Sequence, residues 1–278
     1  MTGPAILDIA DLGARIPDGT HLAIAPDYSG CAMAVIRTLL RRRISDLRLV
    51  AVPTAGFQAD MLIGAGCVTQ IEAAAVSLGE YGPAGRFNAA LRTGKLAMRD
   101  ATCPAIHAGL QAAEKGIPFM PLRGIIGSDL VAQRPDWKLI DNPYGSQGRD
   151  PILLVPAITP EIALFHAPAA DRDGNVFIGV RRELMLMAHA ARRTLVSVER
   201  IVDTDFLADE ARAGATIPAL YVEAIAQAPR GADPVGLFGA YGANEAALGA
   251  YAQASRDDGA FAAWLAGVDA DASQTVPA

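Results

Sequence analysis

Few side chains in this sequence stand where they could do chemistry, and the most suggestive is a thiol. Cys103 follows Thr102 and precedes Pro104. Thr is a good helix N-cap and Pro suits the first helical turn, so the spacing puts Cys103 at the start of a helix. A thiol there can have a lowered pKa and be nucleophilic. A small buried hydrophobe is the alternative reading, since most free Cys behave that way. The four His (His21, His107, His166, His189) and the three Cys (Cys31, Cys67, Cys103) never recur at the short intervals a zinc site needs. No metal site is expected, and an odd, widely spaced set of Cys argues against a disulfide framework. His166 reads as a hydrogen-bonded structural residue.

Other patterns point away from common chemistries. Gly64-Ala65-Gly66 precedes a strand-like run, whereas a dinucleotide fingerprint follows a strand and opens a helix. There is no phosphate-loop lysine pattern and no Gly-x-Ser-x-Gly elbow. Arg41–Arg43 reads as a solvated helix end, with contact to a cofactor phosphate as the alternative. Asp171, Gly174 and Asn175 read as a structural turn, because Gly and Asn tolerate left-handed backbone and Asp bonds nearby N–H groups.

The elements that would position these residues alternate. Strands are predicted at His21–Ala25, Leu47–Val52, Thr69–Leu78 and Lys95–Asp100. Helices are predicted at Cys31–Arg43, Phe57–Gly64, Ala84–Arg92 and Pro104–Lys115. In the first helix Met33, Val35, Ile36, Leu39 and Leu40 form a broad apolar face. Gly116 and Pro118 close the last one. Leu122–Gly148 is rich in Gly and Pro and reads as a long irregular excursion. Strands at Ile152–Ile158, Ile162–Ala167, Val176–Gly179 and Thr194–Ile201 follow, with a helix at Arg182–Ala191 and an Ala-rich helix over Asn244–Leu265. This alternation predicts an α/β fold with an open, layered, mostly parallel sheet and flanking helices. No linker divides the chain, so one domain is expected over residues 1–268, with a flexible tail at 269–278.

Composition narrows the class. The 278 residues include 24 Lys+Arg against 30 Asp+Glu, a net charge of −6, with 51% hydrophobic residues. That balance argues against disorder and against a general nucleic-acid or anionic-membrane surface. No apolar run reaches the roughly 18 residues of a membrane span. The first residues carry early acids and no basic n-region, so no signal peptide is expected and the cytoplasm is the expected compartment.

Several segments, taken in order, resemble a known family. They are Gly116–Pro121, Arg123-Gly-Ile-Ile-Gly127-Ser128-Asp129, Leu154-Val155-Pro156-Ala157, His166–Asn175 and Val196–Val202. Together they resemble the α (A) subunit of family I coenzyme A transferases, over roughly residues 5–260. That family includes glutaconate, 3-oxoacid and 3-oxoadipate CoA-transferases and a branch of steroid ring-opening hydrolases. The resemblance implies a partner β-type subunit, an α2β2 assembly, and an active site between the two halves. It implies that a glutamate on the partner attacks an acyl-CoA and passes CoA to a carboxylic acid through a glutamyl-CoA thioester. No catalytic nucleophile is then expected in this chain, and neither Glu80 nor Glu199 is assigned that role. CoA would be a substrate, and no cofactor is implied.

On the resemblance, this chain would shape the acyl pocket with Ser29, Gly30, Cys31, Gly56, Glu80, Cys103, Arg123, Gly127 and Ser128. Most of these lie where strands end, the edge at which open α/β sheets bind ligands. For Arg123, a carboxylate in the site and an ion pair within the fold are both open. Two departures stand out. The Gly-rich first βα loop of the family is here Pro26-Asp27-Tyr28-Ser29-Gly30-Cys31. Cys103 stands where the family often carries Gln or Glu, a carboxylate in the hydrolase branch. The alternatives to a transferase are therefore the α subunit of an acyl-CoA hydrolase and a non-catalytic acyl-CoA-binding subunit.

Overall fold

The computed structural model describes residues 3–145 and 148–270. Eight strands form one sheet: β1 (Ala5–Leu7), β2 (His21–Ile24), β3 (Leu47–Ala51), β4 (Val68–Ala73), β5 (Ala97–Asp100), β6 (Ile162–Ala167), β7 (Arg193–Val198) and β8 (Ala224–Gln227). Their order is β1–β8–β7–β6–β2–β3–β4–β5, and every neighbouring pair is parallel. The inner strands are mostly apolar because both faces are covered. Alternate residues divide between two cores. Leu22, Ile24, Leu49, Leu164 and Leu195 face one side. Ala23, Val50, Phe165, Val196 and Ile225 face the other.

Ten helices are described: α1 (Ile9–Ala14), α2 (Met33–Arg41), α3 (Phe57–Gly64), α4 (Gly85–Arg92), α5 (Cys103–Glu114), α6 (Asp129–Gln133), α7 (Arg182–Ala190), α8 (Glu210–Ala213), α9 (Glu245–Ala254) and α10 (Asp258–Ala270). The first core is closed by α1–α4, α9 and α10, through Leu12, Leu39, Leu62, Phe87, Tyr251 and Phe261. The second is closed by α5, α7 and a three-stranded antiparallel sheet, through Ile106, Leu110, Leu184, Met187, Leu153 and Val155.

The structure corrects several boundaries. The stretch predicted as one strand over Thr69–Leu78 ends at Ala73, and Ala75–Val76 then pairs with Thr54–Ala55. Pro151–Pro156 leaves the parallel sheet and pairs antiparallel with Phe119–Leu122 and Lys138–Asp141. The irregular excursion thus contains a helix and a strand. The predicted helix over Asn244–Leu265 is two helices. Ser255 ends the first and is buried, and Arg86 Nη1 bonds Asp258 Oδ1 at 2.5 Å at the start of the second. Helix α10 continues to Ala270, so the predicted tail start at 269 is helical and its remainder lies outside the described residues. At the Arg41–Arg43 end two of the three guanidinium groups are used within the fold. Arg41 Nε donates to the Val268 carbonyl at 3.1 Å, and Arg42 donates to the carbonyls of Gly13 and Ile16.

Candidate functional site

The strand order creates one crevice. From β2 the chain moves outward through β3, β4 and β5, then returns to lay β6 on the other side of β2. Loops leaving β2 and β6 therefore diverge, and open α/β sheets bind ligands at such a switch point. A crevice of about 630 Å³ opens there, walled by Tyr28–Gly30, His166, Pro168, Phe177–Arg181, Leu184, Glu199, Arg200 and Leu237–Tyr241.

Gly30 stitches the two sides together. His166 N donates to the Gly30 carbonyl at 2.8 Å. With φ at +90°, Gly30 adopts a conformation other residues avoid, and a Cβ there would collide with the His166 carbonyl oxygen.

The β7 side of the crevice is saturated with hydrogen bonds. His166 Nε2 lies 2.7 Å from Glu199 Oε1 and its Nδ1 2.8 Å from Ser197 Oγ. Tyr241 donates its hydroxyl to Glu199 Oε1 at 2.7 Å, and the Arg230 N–H donates to Oε2 at 2.7 Å. Burial by itself would raise the Glu199 pKa. The donors from His166, Tyr241 and Arg230 outweigh it and bring the pKa down to about 2. Ser197 and His166 are fully buried, so this Ser–His–Glu array presents no reachable nucleophile and acts as scaffold. The structural reading of His166 fits these contacts.

Just beyond β6, Asp171 is buried and ties a turn. Its Oδ1 accepts from the N–H groups of Asp173 and Asn175, and its Oδ2 from Asn175 Nδ2 and the Phe206 N–H. Asn175 Oδ1 accepts from the Ala219 N–H at 2.8 Å. Asp171 and Asn175 are structural, as the turn chemistry predicts.

The β2 side is less satisfied. Asp27 turns inward, with Oδ2 accepting from the Phe57 N–H at 3.1 Å and Oδ1 lying 3.4 Å from Cys31 Sγ. Desolvation raises its pKa to about 6 against the pull of those two contacts. Gly56 makes room for this carboxyl, because a Cβ there would overlap Oδ2. Ser29 donates its hydroxyl to Glu183 on α7. Glu183 also acts electrostatically on Tyr28 and on His107, which burial makes harder to protonate. Tyr28 bonds the Thr54 side chain and feels Cys103.

The nine residues expected at the pocket are thus dispersed. Ser29 and Gly30 line the crevice. Cys103 is exposed at the first position of α5, capped by Thr102, and acts electrostatically on Tyr28, but it does not line the crevice. That answers the buried-hydrophobe alternative: the thiol is open to solvent. Cys31 is fully buried beneath Asp27, and burial holds its thiol well above the usual range, so it does not line the crevice. Gly56 gives clearance rather than contact. Glu80 is exposed on a neighbouring rim turn fixed by Tyr81, whose ring packs edge-on against Phe57 at 5.7 Å. Arg123, Gly127 and Ser128 line no part of the crevice. Arg123 makes a two-pronged pair with Asp150, one prong at 2.9 Å, and Ser128 Oγ donates to the Ile125 carbonyl at 2.8 Å. Of the two readings of Arg123, the ion pair within the fold is the one observed.

Sequence reasoning misses Arg181 and Glu183. Their signal is the Arg-Arg-Glu run directly after Val176–Val180, which returns to the rim some 150 residues after β2. Among the described residues no three His, Cys, Asp or Glu side chains gather to hold a metal ion.

Comparison with known proteins agrees with this architecture. Residues 6–228 match the family model described as Coenzyme A transferase. The chain belongs to the coenzyme A transferase family. It is 28% identical to the A subunit of 3-oxoadipate CoA-transferase from Pseudomonas knackmussii, over 90% of this chain and 88% of that protein. It is 30% identical to the cholesterol ring-cleaving hydrolase IpdA subunit of Rhodococcus jostii, over 84% of this chain and 81% of that one. The crystal structure of glutaconate coenzyme A-transferase from Acidaminococcus fermentans superimposes with a TM-score of 0.85 at 28% identity, covering 95% of this chain and 89% of that one. One further relative, an uncharacterized protein of Archaeoglobus fulgidus, is longer, and this chain spans 48% of it. The fold expected from the strand–helix alternation is the fold of this family.

Proposed function

We propose that this CoA-transferase family member is the A-type half of a two-chain enzyme that moves CoA between an acyl-CoA and a carboxylic acid. The observation that carries the reading is the state of the carboxylates beside the crevice. Glu199 is held by three donors, Glu183 is bonded by Ser29, and Asp27 is turned inward. None is poised to attack a thioester. A nucleophile brought by a partner chain fits this arrangement, and the names of the relatives, which are those of A-type halves, support it.

In the proposed reaction the partner's glutamate attacks the thioester carbonyl and releases CoA thiolate, leaving a mixed anhydride. The thiolate then attacks the glutamyl carbonyl, freeing the first acid and forming a glutamyl-CoA thioester. A second acid reverses these steps and leaves with CoA. Here CoA is a substrate and no further cofactor takes part. The α2β2 stoichiometry belongs to the same proposal. The rim offers a surface for the partner: Tyr28, Val180 and Phe238 are 57%, 74% and 73% exposed around the crevice mouth.

The hydrolase reading draws on the likeness to IpdA. Against it stands Cys103 at the start of α5, because a thiol is a poor substitute for a carboxylate base. The test is to purify the chain with its stoichiometric partner and supply acyl-CoA with and without a free acid. The transferase reading expects new acyl-CoA only when the acid is present. Release of free CoA at an equal rate without acceptor would replace it with the hydrolase reading.

A further inference from the structure

The outer face of the three-stranded antiparallel sheet is apolar where water favours polar side chains. Along Phe119–Leu122, Lys138–Asp141 and Pro151–Pro156, successive residues point to opposite faces. Leu153 and Val155 point inward, to the second core. The register then places Phe119, Pro121, Ile140, Ile152 and Leu154 on the other face. A solvated face of an antiparallel sheet ordinarily carries polar residues. This one lines a groove of about 670 Å³, with Tyr144 at one end. Phe119 and Ile140 are 43% and 40% exposed, and Tyr144 projects at 93%. The patch offers on the order of 500 Å² of apolar surface, a size that marks interaction sites. Polar groups stand at its margins. At the Tyr144 end Arg123 and Asn142 hold Asp150, with Asn142 Nδ2 2.8 Å from its Oδ2. Lys138 stands exposed at the other side of Ile140, and its Nζ reaches the Pro135 carbonyl at 3.5 Å.

We propose that this face binds a second copy of the chain, stacked face to face across a two-fold axis. Two flat apolar sheet faces pack on each other at about 10 Å, as in a sandwich. A two-fold contact uses the same patch twice, so the patch must complement itself. The register supplies that match. Ile140 lies opposite Ile152, with Lys138 two residues before it and Asn142 two after. An axis across the strands at this pair sets Lys138 of one copy opposite Asn142 of the other, beside the Asp150 carboxylate. The same axis brings the Tyr144 end of one copy over the Phe119 end of the other, where the groove receives the ring. With its polar margin the patch approaches the roughly 800 Å² per copy of a standard interface. The unlike chain is served elsewhere, because Tyr28, Val180 and Phe238 around the crevice line no part of this groove. The contact would be the like-with-like joint of the proposed α2β2 assembly, and only in that respect does it rest on the two-chain reading.

Sedimentation of the full chain over a range of concentrations reads this contact whether or not CoA transfer is found. A dimer is expected. Tyr144→Asp and Ile140→Lys, each shown by melting to be folded, should raise its dissociation constant at least about thirtyfold, the scale of a hot-spot residue. Tyr28→Asp, on the crevice rim, should leave it unchanged. In the purified two-chain complex Tyr144→Asp should halve the mass, leaving one copy of each chain. A natural chain that stays monomeric would overturn the assignment, as would a dimer that survives both substitutions. Loss of the unlike chain in Tyr144→Asp, with the second copy retained, would also overturn it and give the face to the other subunit. CoA transfer by a complex holding one copy of this chain would sink this inference and leave the proposed function standing.

Discussion

The two sides of the crevice handle their carboxylates in opposite ways. At the end of β7, Glu199 receives His166, Tyr241 and a backbone N–H, and its pKa falls to about 2. After β2, Asp27 is desolvated with only one backbone donor and a thiol, and its pKa rises to about 6. Arg181 lines the same crevice, its Nε is buried without a hydrogen-bond partner, and it forms no ion pair among the described residues. Donor count decides the sign in each case: three donors outweigh desolvation, and one plus a thiol do not. The β7 side is a finished scaffold. The β2–α7 side holds the groups that something else can complete.

The largest effects are expected on the finished side. Asp171→Ala strands several buried donors at once and should cost about 3–4 kcal/mol, with melting temperature as the readout. His166→Ala removes the partner of Glu199 and of Ser197 together and should cost about 3 kcal/mol. Destabilisation under about 1 kcal/mol in either variant, with activity lost, would move that residue from scaffold to chemistry.

The pH dependence separates the two carboxylates. Glu199 has a folded pKa below its unfolded value, so its contribution is present above about 4.5 and is lost as pH falls toward 2. Asp27 has a folded pKa above its unfolded value. Its contribution is full below about 3.8 and is lost as pH rises through about 6. Replacing Asp27 by Asn removes the cost of the buried charge and should raise stability at pH 7.5 by about 1–2 kcal/mol relative to pH 4. An unchanged pH profile in Asp27→Asn would mean that water reaches this carboxyl freely.

The smallest expected effect is at the start of α5. In the native protein one thiol of three should react quickly with a thiol reagent, because Cys103 is exposed and Cys31 and Cys67 are buried. Cys103→Ser should abolish that reaction and shift stability by less than about 0.5 kcal/mol. A fast reaction persisting in Cys103→Ser would show that the β2 loop over Cys31 opens.

Much of the fold is legible in the sequence because its inner strands are apolar on both faces, so Leu47–Ala51 and Ile162–Ala167 announce themselves. Two strands at the other end of the sheet do not. Ala5–Leu7 and Ala224–Gln227 are too short to show a period. The division of the last helix is hidden because it is imposed by buried Ser255 and by Arg86, which lies far away in the chain. The site is legible only as strand ends. Ser29 and Gly30 can be read because they follow β2. Arg181 and Glu183 cannot, because their place at the rim comes from the switch in strand order, which no local pattern records. Cys31 defies its expected place for a local reason: inward rotation of Asp27 covers it, and that depends on the missing side chain of Gly56.

The central claim is that the attacking carboxylate comes from outside this chain. The most direct measurement is intact-mass spectrometry of the purified two-chain complex after brief incubation with acyl-CoA. The account predicts a CoA adduct on the partner chain, with this chain's mass unchanged. A CoA or acyl adduct on this chain, at Cys103 or at a carboxylate of the rim, would contradict it.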